Sequence, residues 1–256
     1  MSLESRIEAL ESYREQLGDE IVDFFSKLWA RQDELSTFAP LDRLRESILF
    51  LDDYSPGLRD ATEAVYTDQF VLEVPDKVTG ESVERLIEDI AQMCGLDPAS
   101  DLASNLSLAV ICALRPEAQK AALCVEQPDK ASVQTGECPC CGVPAALGIM
   151  RDDGQAAGSS RMLWCTLCEN TWEFPRIRCA RCGSSRQEDL EFFFVEGDSG
   201  HRIYGCAECK GTLKVVNEAD LKRRCDPRVE ELVLEELLDA VIEGSALPDA
   251  ASIEIT

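Results

Sequence analysis

The chain lacks any apolar run close to the roughly 20 residues that a membrane-spanning helix needs. Its N-terminus, Met1-Ser2-Leu3-Glu4-Ser5-Arg6, is polar and helical in character, unlike a secretory signal peptide. Its first half shows no nucleophile paired with a base, no phosphate-binding loop and no paired-carboxylate site. These absences predict a cytoplasmic protein that does not insert into membranes and whose first half is a helical scaffold or docking surface.

Positive charge is also scarce. Lysine and arginine number 25 against 49 aspartate and glutamate residues, which gives a net charge of −24. The net charge is −15 over residues 1–130 and −9 over residues 131–256. A nucleic-acid-binding protein needs a basic surface to contact phosphates. Two short basic runs, Arg176-Ile177-Arg178 and Lys222-Arg223-Arg224, are predicted to lie on solvated faces, and nucleic acid is not expected as a partner.

Cysteine, by contrast, is abundant, with 13 residues. Eight of them form four Cys-x-x-Cys pairs in the second half of the chain, and the first and third pairs, like the second and fourth, are 41 residues apart. The pairs are Cys138/Cys141, Cys165/Cys168, Cys179/Cys182 and Cys206/Cys209. Because a reducing cytoplasm does not sustain a disulfide scaffold, and a lone redox dithiol would not repeat, this pattern indicates metal ligands.

The spacing predicts two successive tetrahedral four-thiolate sites. Each repeat has 23 residues between its two pairs, enough for a hairpin, so Cys138, Cys141, Cys165 and Cys168 are assigned to the first site. Cys179, Cys182, Cys206 and Cys209 are assigned to the second. The glycines after two of the pairs, Gly142 and Gly183, permit the backbone angle that such a loop requires. Four thiolates suit a single iron or a zinc ion and do not distinguish between them. Both sites could be purely structural.

Four other groups have simpler expected roles. Cys140 and Cys225 lie outside the period and are predicted to be spectators, and His201 is predicted to be a surface residue of a hairpin turn. The three aromatic residues beside the second pair are predicted to pack in the core: Trp164, Trp172 and Phe174.

The predicted fold class is α+β. An all-helical domain is expected over 1–130, a tandem metal-binding domain of β-hairpins over 131–225, and a C-terminal helix with a frayed tail over 226–256. Apolar residues recur at helical spacing over 3–35, 41–51, 58–70 and 82–94. Two further helices are predicted, from Asp97 to about Leu114 and from Arg115-Pro116 to about Val125, and a last one over Val229–Glu243. Strand-like runs are expected over 146–150, 161–164, 192–195, 203–204 and 213–216, with turns at 152–154 and 197–200.

The four pairs, together with Thr171-Trp172 and the Arg176-x-Arg178 link between the repeats, resemble the formate dehydrogenase accessory protein FdhE family. Asp226-Pro227 before an acidic amphipathic helix is also similar to that family. The resemblance implies rubredoxin-like sites, with the eight paired cysteines as ligands of two mononuclear irons and zinc as the alternative. One departure is Cys140, where a non-thiol residue is expected and where a thiol could compete for the first metal.

The resemblance further implies a maturation chaperone that is not itself an enzyme. Such a protein binds the catalytic subunit of a molybdenum- or tungsten-dependent formate dehydrogenase in the cytoplasm and assists its assembly. An alternative from another class is a rubredoxin-like redox carrier or thiol oxidoreductase. A third, a zinc-ribbon module for nucleic acid, is disfavoured by the acidic charge.

Overall fold

The computed structural model describes residues 1–54, 58, 61, 63, 65–67, 72, 74, 77–96, 101–128, 133–151, 160–195, 198–242 and 250–254. The chain folds into two compact units. The helical unit comprises residues 20–125 together with 140–142. The sheet unit comprises residues 1–19, 126–139 and 143–256. The domain boundaries expected from the sequence, 1–130, 131–225 and 226–256, stay predictions, because compactness alone does not show which segments fold independently.

The helices of the helical unit are α3 (Asp19–Leu35), α4 (Pro40–Asp52), α5 (Gly80–Cys94) and α6 (Asp101–Ala122). α5 begins at a capping box in which Thr79 and Ser82 each bond to the other's backbone, and it ends at Gly95, whose φ is 66°. Leu28, Leu44, Ile48 and Leu106 are among the side chains fully removed from solvent in this unit. The helices predicted at 41–51 and 82–94 are confirmed, whereas 58–70 lies mostly outside the described residues.

One helical prediction was wrong. Arg115-Pro116 does not separate two helices, because α6 continues through Pro116 to Ala122. A proline inside a helix loses a hydrogen bond and costs roughly 3 kcal/mol. Buried residues lie on both sides of it, at Val110, Leu114 and Ala118, and their burial offsets that loss.

The sheet unit begins with two short helices, α1 (Leu3–Glu11) and α2 (Arg14–Leu17), followed later in the chain by β1 (Leu147–Arg151), β2 (Ser160–Trp164), β3 (Thr171–Phe174), β4 (Leu190–Val195), β5 (Asp198–Cys206) and β6 (Thr212–Asn217). A 3-10 turn over Gln187–Asp189 precedes β4. The unit ends with α7 (Glu218–Leu221), α8 (Pro227–Ile242) and β7 (Ala250–Glu254). The C-terminal helix is confirmed. The frayed tail is not, because β7 pairs with β4.

The strands form one sheet in the order β3-β2-β1-β6-β5-β4-β7. Neighbouring strands are antiparallel except for β1 and β6, which are parallel, with Leu147 opposite Lys214. Each 41-residue repeat is therefore a three-stranded meander, β1-β2-β3 or β4-β5-β6. The parallel β1–β6 pair joins the two. The predicted α+β class is confirmed. The structure adds that the two metal-binding units share one sheet and that the first unit has a third strand, β3. The predicted turn at 152–154 lies outside the described residues, and β5 already begins at Asp198.

The core of the sheet unit lies between β1, β5, β6 and α8. Leu147, Ile149, Ile203, Val216 and Leu234 are fully buried there. Alternating strand residues supply one side of this core, and the apolar stripe of α8 supplies the other. Trp164, Trp172 and Phe174 are each at most 3% exposed, as the prediction of core packing requires. None of the helices within the described ranges is long and apolar enough to cross a membrane.

Candidate metal centres

The paired cysteines converge in the two groups that the spacing predicts. In each group every sulfur lies within 4.8 Å of the other three. The first group is Cys138, Cys141, Cys165 and Cys168; the second is Cys179, Cys182, Cys206 and Cys209. That these eight residues ligate metal stays a prediction, but the strands place them together as it requires.

The sulfur–sulfur distances fit one ion per group. They are 3.5 Å for Cys138 and Cys168, 3.7 Å for Cys179 and Cys209, and 3.9 Å for Cys182 and Cys206. A tetrahedron with metal–sulfur bonds of about 2.3 Å has edges of about 3.8 Å. A disulfide would need about 2.05 Å. The donor set thus fits a mononuclear ion, for which four thiolates suit both iron and zinc.

The same backbone turn forms each of the four cysteine loops. In each, the amide of the first cysteine donates to the carbonyl of the residue five positions later: Cys138 to Val143 (2.9 Å), Cys165 to Asn170 (3.1 Å), Cys179 to Ser184 (2.7 Å) and Cys206 to Gly211 (3.1 Å). This closed turn holds the two sulfurs of a pair on the same side of the loop before any ion arrives. The loops precede β1, connect β2 to β3, precede β4, and connect β5 to β6.

Hydrogen bonds to sulfur are visible in both groups. The Arg181 amide lies 3.3 Å from Cys179 Sγ and the Gly211 amide 3.4 Å from Cys209 Sγ. In the first group the donor is the Asn170 side-chain amide, 3.9 Å from Cys138 Sγ. Such donors stabilise thiolates over thiols. Without metal, burial raises the pKa of the Cys206 thiol, with Cys179 beside it adding to the shift. Metal binding must therefore displace protons there.

The two groups differ in exposure. All four cysteines of the first group are buried, whereas Cys182 and Cys209 of the second are exposed. The second site is therefore the one whose sulfurs meet solvent or another molecule directly.

Cys140 and Cys225, which were predicted to be spectators, both lie outside the two sulfur groups. Cys140 is 1% exposed and does not belong to the first sulfur group. Cys225 is buried in the core of the sheet unit, and burial, with the Glu218 carboxylate nearby, raises the pKa of its thiol.

The prediction for His201 was wrong. It is 4% exposed, and Asp198 Oδ2 lies 2.7 Å from Nδ1 while Glu230 Oε2 lies 2.9 Å from Nε2. Tyr13 and Arg223 complete a polar cluster, donating to Glu230 at 3.0 and 2.8 Å. Burial alone would lower the pKa of His201, but the two carboxylates outweigh it and raise the pKa to about 9. The sequence signal that could have found this cluster is the Asp198-x-x-His201 spacing at the start of β5.

The basic runs are only partly the solvated faces that were predicted. Arg176 is exposed, but Arg178 is half-buried and donates to the Val133 carbonyl at 2.6 Å. Arg223 belongs to the polar cluster around His201. These two arginines therefore have structural partners that their position in a short basic run does not reveal.

The matching family model and two matching relatives all carry the name FdhE. Residues 137–176, which include all four cysteines of the first group, match the family model described as FdhE, central domain. The chain is 40% identical over 78 residues to a protein FdhE homolog of Stutzerimonas stutzeri, covering 30% of this chain and 25% of that protein. It is 32% identical over 123 residues to protein FdhE of Salmonella paratyphi A, covering 46% and 36%. These matches span only about a quarter to a third of the relatives.

The fold has a solved counterpart. The crystal structure of the FdhE protein from Pseudomonas aeruginosa superposes with a TM-score of 0.54 over 94% of this chain and 91% of that one, at 22% identity. At this identity the likeness concerns the fold.

Proposed function

We propose that the chain belongs to the FdhE family and is an accessory protein in formate dehydrogenase maturation. It would bind the catalytic subunit of a molybdenum- or tungsten-dependent formate dehydrogenase in the cytoplasm and assist its assembly, without being an enzyme itself. The observation that supports this most is the coincidence of the family match at 137–176 with the first group of four cysteines.

We propose that the eight paired cysteines hold two mononuclear metal ions, iron in both sites or alternatively zinc. Bound metal would supply cross-links between loops that otherwise have little core of their own. The chain contributes the closed loops, the donors to sulfur and the sheet that fixes the loops. In the buried first site the metal would then act as a structural element, since solvent does not reach its sulfurs.

The charge of the chain supports a protein partner rather than nucleic acid. Forty-nine acidic against 25 basic residues would repel a phosphate backbone. The same charge would favour docking to a basic surface on a partner subunit and raise the rate of encounter.

A capture experiment tests the proposed role. The tagged chain, expressed in cells with formate dehydrogenase induced, should recover the catalytic subunit. Cys165→Ser removes one sulfur of the first group and should reduce the recovered subunit at least several-fold, because the loops lose their cross-link. Cys140→Ser removes a buried thiol outside the sulfur groups and serves as the matched control. Failure of the wild-type chain to recover the subunit, even with a crosslinker, would contradict the proposal.

The exposure of Cys182 and Cys209 favours a second candidate, a rubredoxin-like redox carrier. A mononuclear iron with exposed thiolates can exchange electrons with a partner. The carrier role requires two irons per chain in protein purified without oxygen, a red oxidised form and bleaching by dithionite. Two zinc ions and no colour would eliminate this candidate and leave the maturation role standing.

A further inference from the structure

A small, partly open pocket with an enclosed volume of about 20 Å³ lies in the sheet unit beside the second group of cysteines. Four arginines contribute to its lining: Arg161, Arg176, Arg178 and Arg181. The apolar part of the lining includes Leu190, Leu213 and the Tyr204 ring.

Arg161 is the most unusual of these residues. Its side chain is 2% exposed, and its Nε is buried without a hydrogen-bond partner. Its Nη2 donates to the carbonyls of Pro175 (2.7 Å) and Arg178. The guanidinium carbon lies 5.0 Å from the centre of the Phe174 ring and 5.9 Å from that of Tyr204. Packing and backbone contacts therefore fix this guanidinium and leave its Nε donor unused.

Within the described part of the chain, none of the four arginines forms an ion pair with a carboxylate, although many other arginines do. Arg202, which stands 41 residues after Arg161 in the repeat, pairs with Asp220 at 2.7 Å. The two copies of this arginine therefore differ: the second has a carboxylate partner, and among the described residues the first has none.

The negative charge of the neighbouring thiolates offsets part of the positive charge of the four arginines. Four thiolates together with the divalent metal they bind carry a net charge of −2. Cys179, one of these thiolates, also lines the pocket. Four guanidinium groups carry +4. A net charge of about +2 remains, in a chain whose total is −24. Burial lowers the pKa of Arg161 to about 10, which shows how unfavourable its unpaired charge is.

We propose that this pocket binds the phosphoryl dianion of a small phosphate monoester, held by the arginines at the pocket mouth, with the organic part of the ester outside the pocket. Arginine is the side chain best suited to phosphate, since its donors match two phosphate oxygens at once. This site does not depend on the role in formate dehydrogenase maturation, and either proposal can fail alone.

Calorimetry on the metal-loaded full chain with phenyl phosphate tests the site. We expect one molecule bound per chain, displaced by inorganic phosphate, and at least tenfold weaker binding of benzoate, which has the ring but a single negative charge. Arg161→Met and Arg176→Ala should each weaken binding at least tenfold. Arg186→Ala is the control, because Arg186 is exposed, pairs with Asp189 and Glu208, and lies outside the pocket.

Three results would overturn the proposal: no saturable binding, benzoate binding as tightly as phenyl phosphate, or equal weakening by Arg176→Ala and Arg186→Ala. If the arginines only balanced the thiolate charge, Arg176→Ala would alter the absorption of the metal site while phenyl phosphate failed to bind the wild-type chain. Arg161→Met affects a buried residue, so metal content is measured for every variant. Should that variant not fold, the exposed Arg176 still decides the outcome.

Discussion

The residue after the second cysteine of each pair has a positive φ angle in all four loops. It is Gly142 (76°) and Gly183 (78°) in the first loop of each site, and Glu169 (57°) and Lys210 (60°) in the second. This left-handed turn lets the backbone fold back after the second sulfur. Each loop therefore depends on one residue accepting a conformation that costs non-glycine residues roughly 1–2 kcal/mol.

The two glycines make a matched pair for testing this turn. A Cβ added at Gly142 meets nothing within 4 Å, whereas one added at Gly183 would lie 2.6 Å from the Gln134 carbonyl oxygen. Gly142→Ala should thus cost only the backbone strain, about 1–2 kcal/mol. Gly183→Ala should cost roughly 1–3 kcal/mol more, because the Gln134 backbone must move. Urea unfolding of metal-loaded protein measures both values, and equal losses would contradict this account.

For single residues, the sequence reveals the pattern of the paired cysteines but not every residue that shapes their loops or is buried nearby. Gly142 and Gly183 were predictable because glycine is the usual occupant of a positive φ position. Glu169 and Lys210 were not, since loop closure overrides their own preference. The burial of His201 and Arg161 was also hidden, because their partners come from distant parts of the chain, such as Glu230 on α8 and the Pro175 carbonyl after β3.

Among the elements, α8 is tied to the rest of the sheet unit through buried charges. Glu230 on α8 is 0% exposed and contacts His201 on β5. Tyr13, between α1 and α2, donates to the same carboxylate, and so does Arg223. Arg6 on α1 pairs with Asp226 at 2.8 Å, just before α8. Because a buried carboxylate without partners is costly, these contacts specify how α1 and α8 meet the sheet.

The charge on His201 makes this arrangement sensitive to pH. Its pKa is raised from 6.5 to about 9, so its stabilising contribution is complete below about pH 6.5 and is lost as pH rises through 9. Asp198, whose pKa is lowered in the fold, stays ionised over this range. We expect the free energy of unfolding to fall by on the order of 2 kcal/mol between pH 6 and 9.5.

The His201→Gln variant isolates this contribution. Glutamine retains a donor near Glu230 but does not titrate, so the wild-type protein should lose stability relative to the variant as pH rises. Other groups, including the thiols of the unfolded chain, titrate in the same range and cancel in the difference between the two proteins. A difference that is constant from pH 6 to 9.5 would show that His201 does not carry the charge.

Local patterns predict most elements but not their partners in the sheet. The helices at 41–51 and 82–94 and the strand-like runs were evident from hydrophobic periodicity. β3 was missed as a strand because it has only four residues beside a cysteine pair, although polar and apolar side chains alternate along it. α6 was divided wrongly at Pro116 because burial on both sides outweighs the local signal.

In the whole molecule, the 41-residue period becomes two meanders with one four-sulfur group each. The parallel β1–β6 pair makes them neighbours in a single sheet, which the repeat alone does not reveal. Equal spacing nevertheless gives unequal environments. The first group is buried on all sides and the second exposes Cys182 and Cys209.

This asymmetry predicts an order of metal release. A chelator reaches exposed thiolates directly, but it reaches buried ones only after local opening of the fold. Excess chelator should therefore remove two metal ions per chain in two phases of about equal amplitude, the faster at least tenfold quicker. Cys209→Ser should eliminate the fast phase and Cys165→Ser the slow phase, each leaving one ion bound. Coloured chelator complexes followed over time, with metal content by mass spectrometry, measure both phases. Release in one phase, or loss of both ions from Cys165→Ser, would mean that the shared sheet couples the two sites into one cooperative unit.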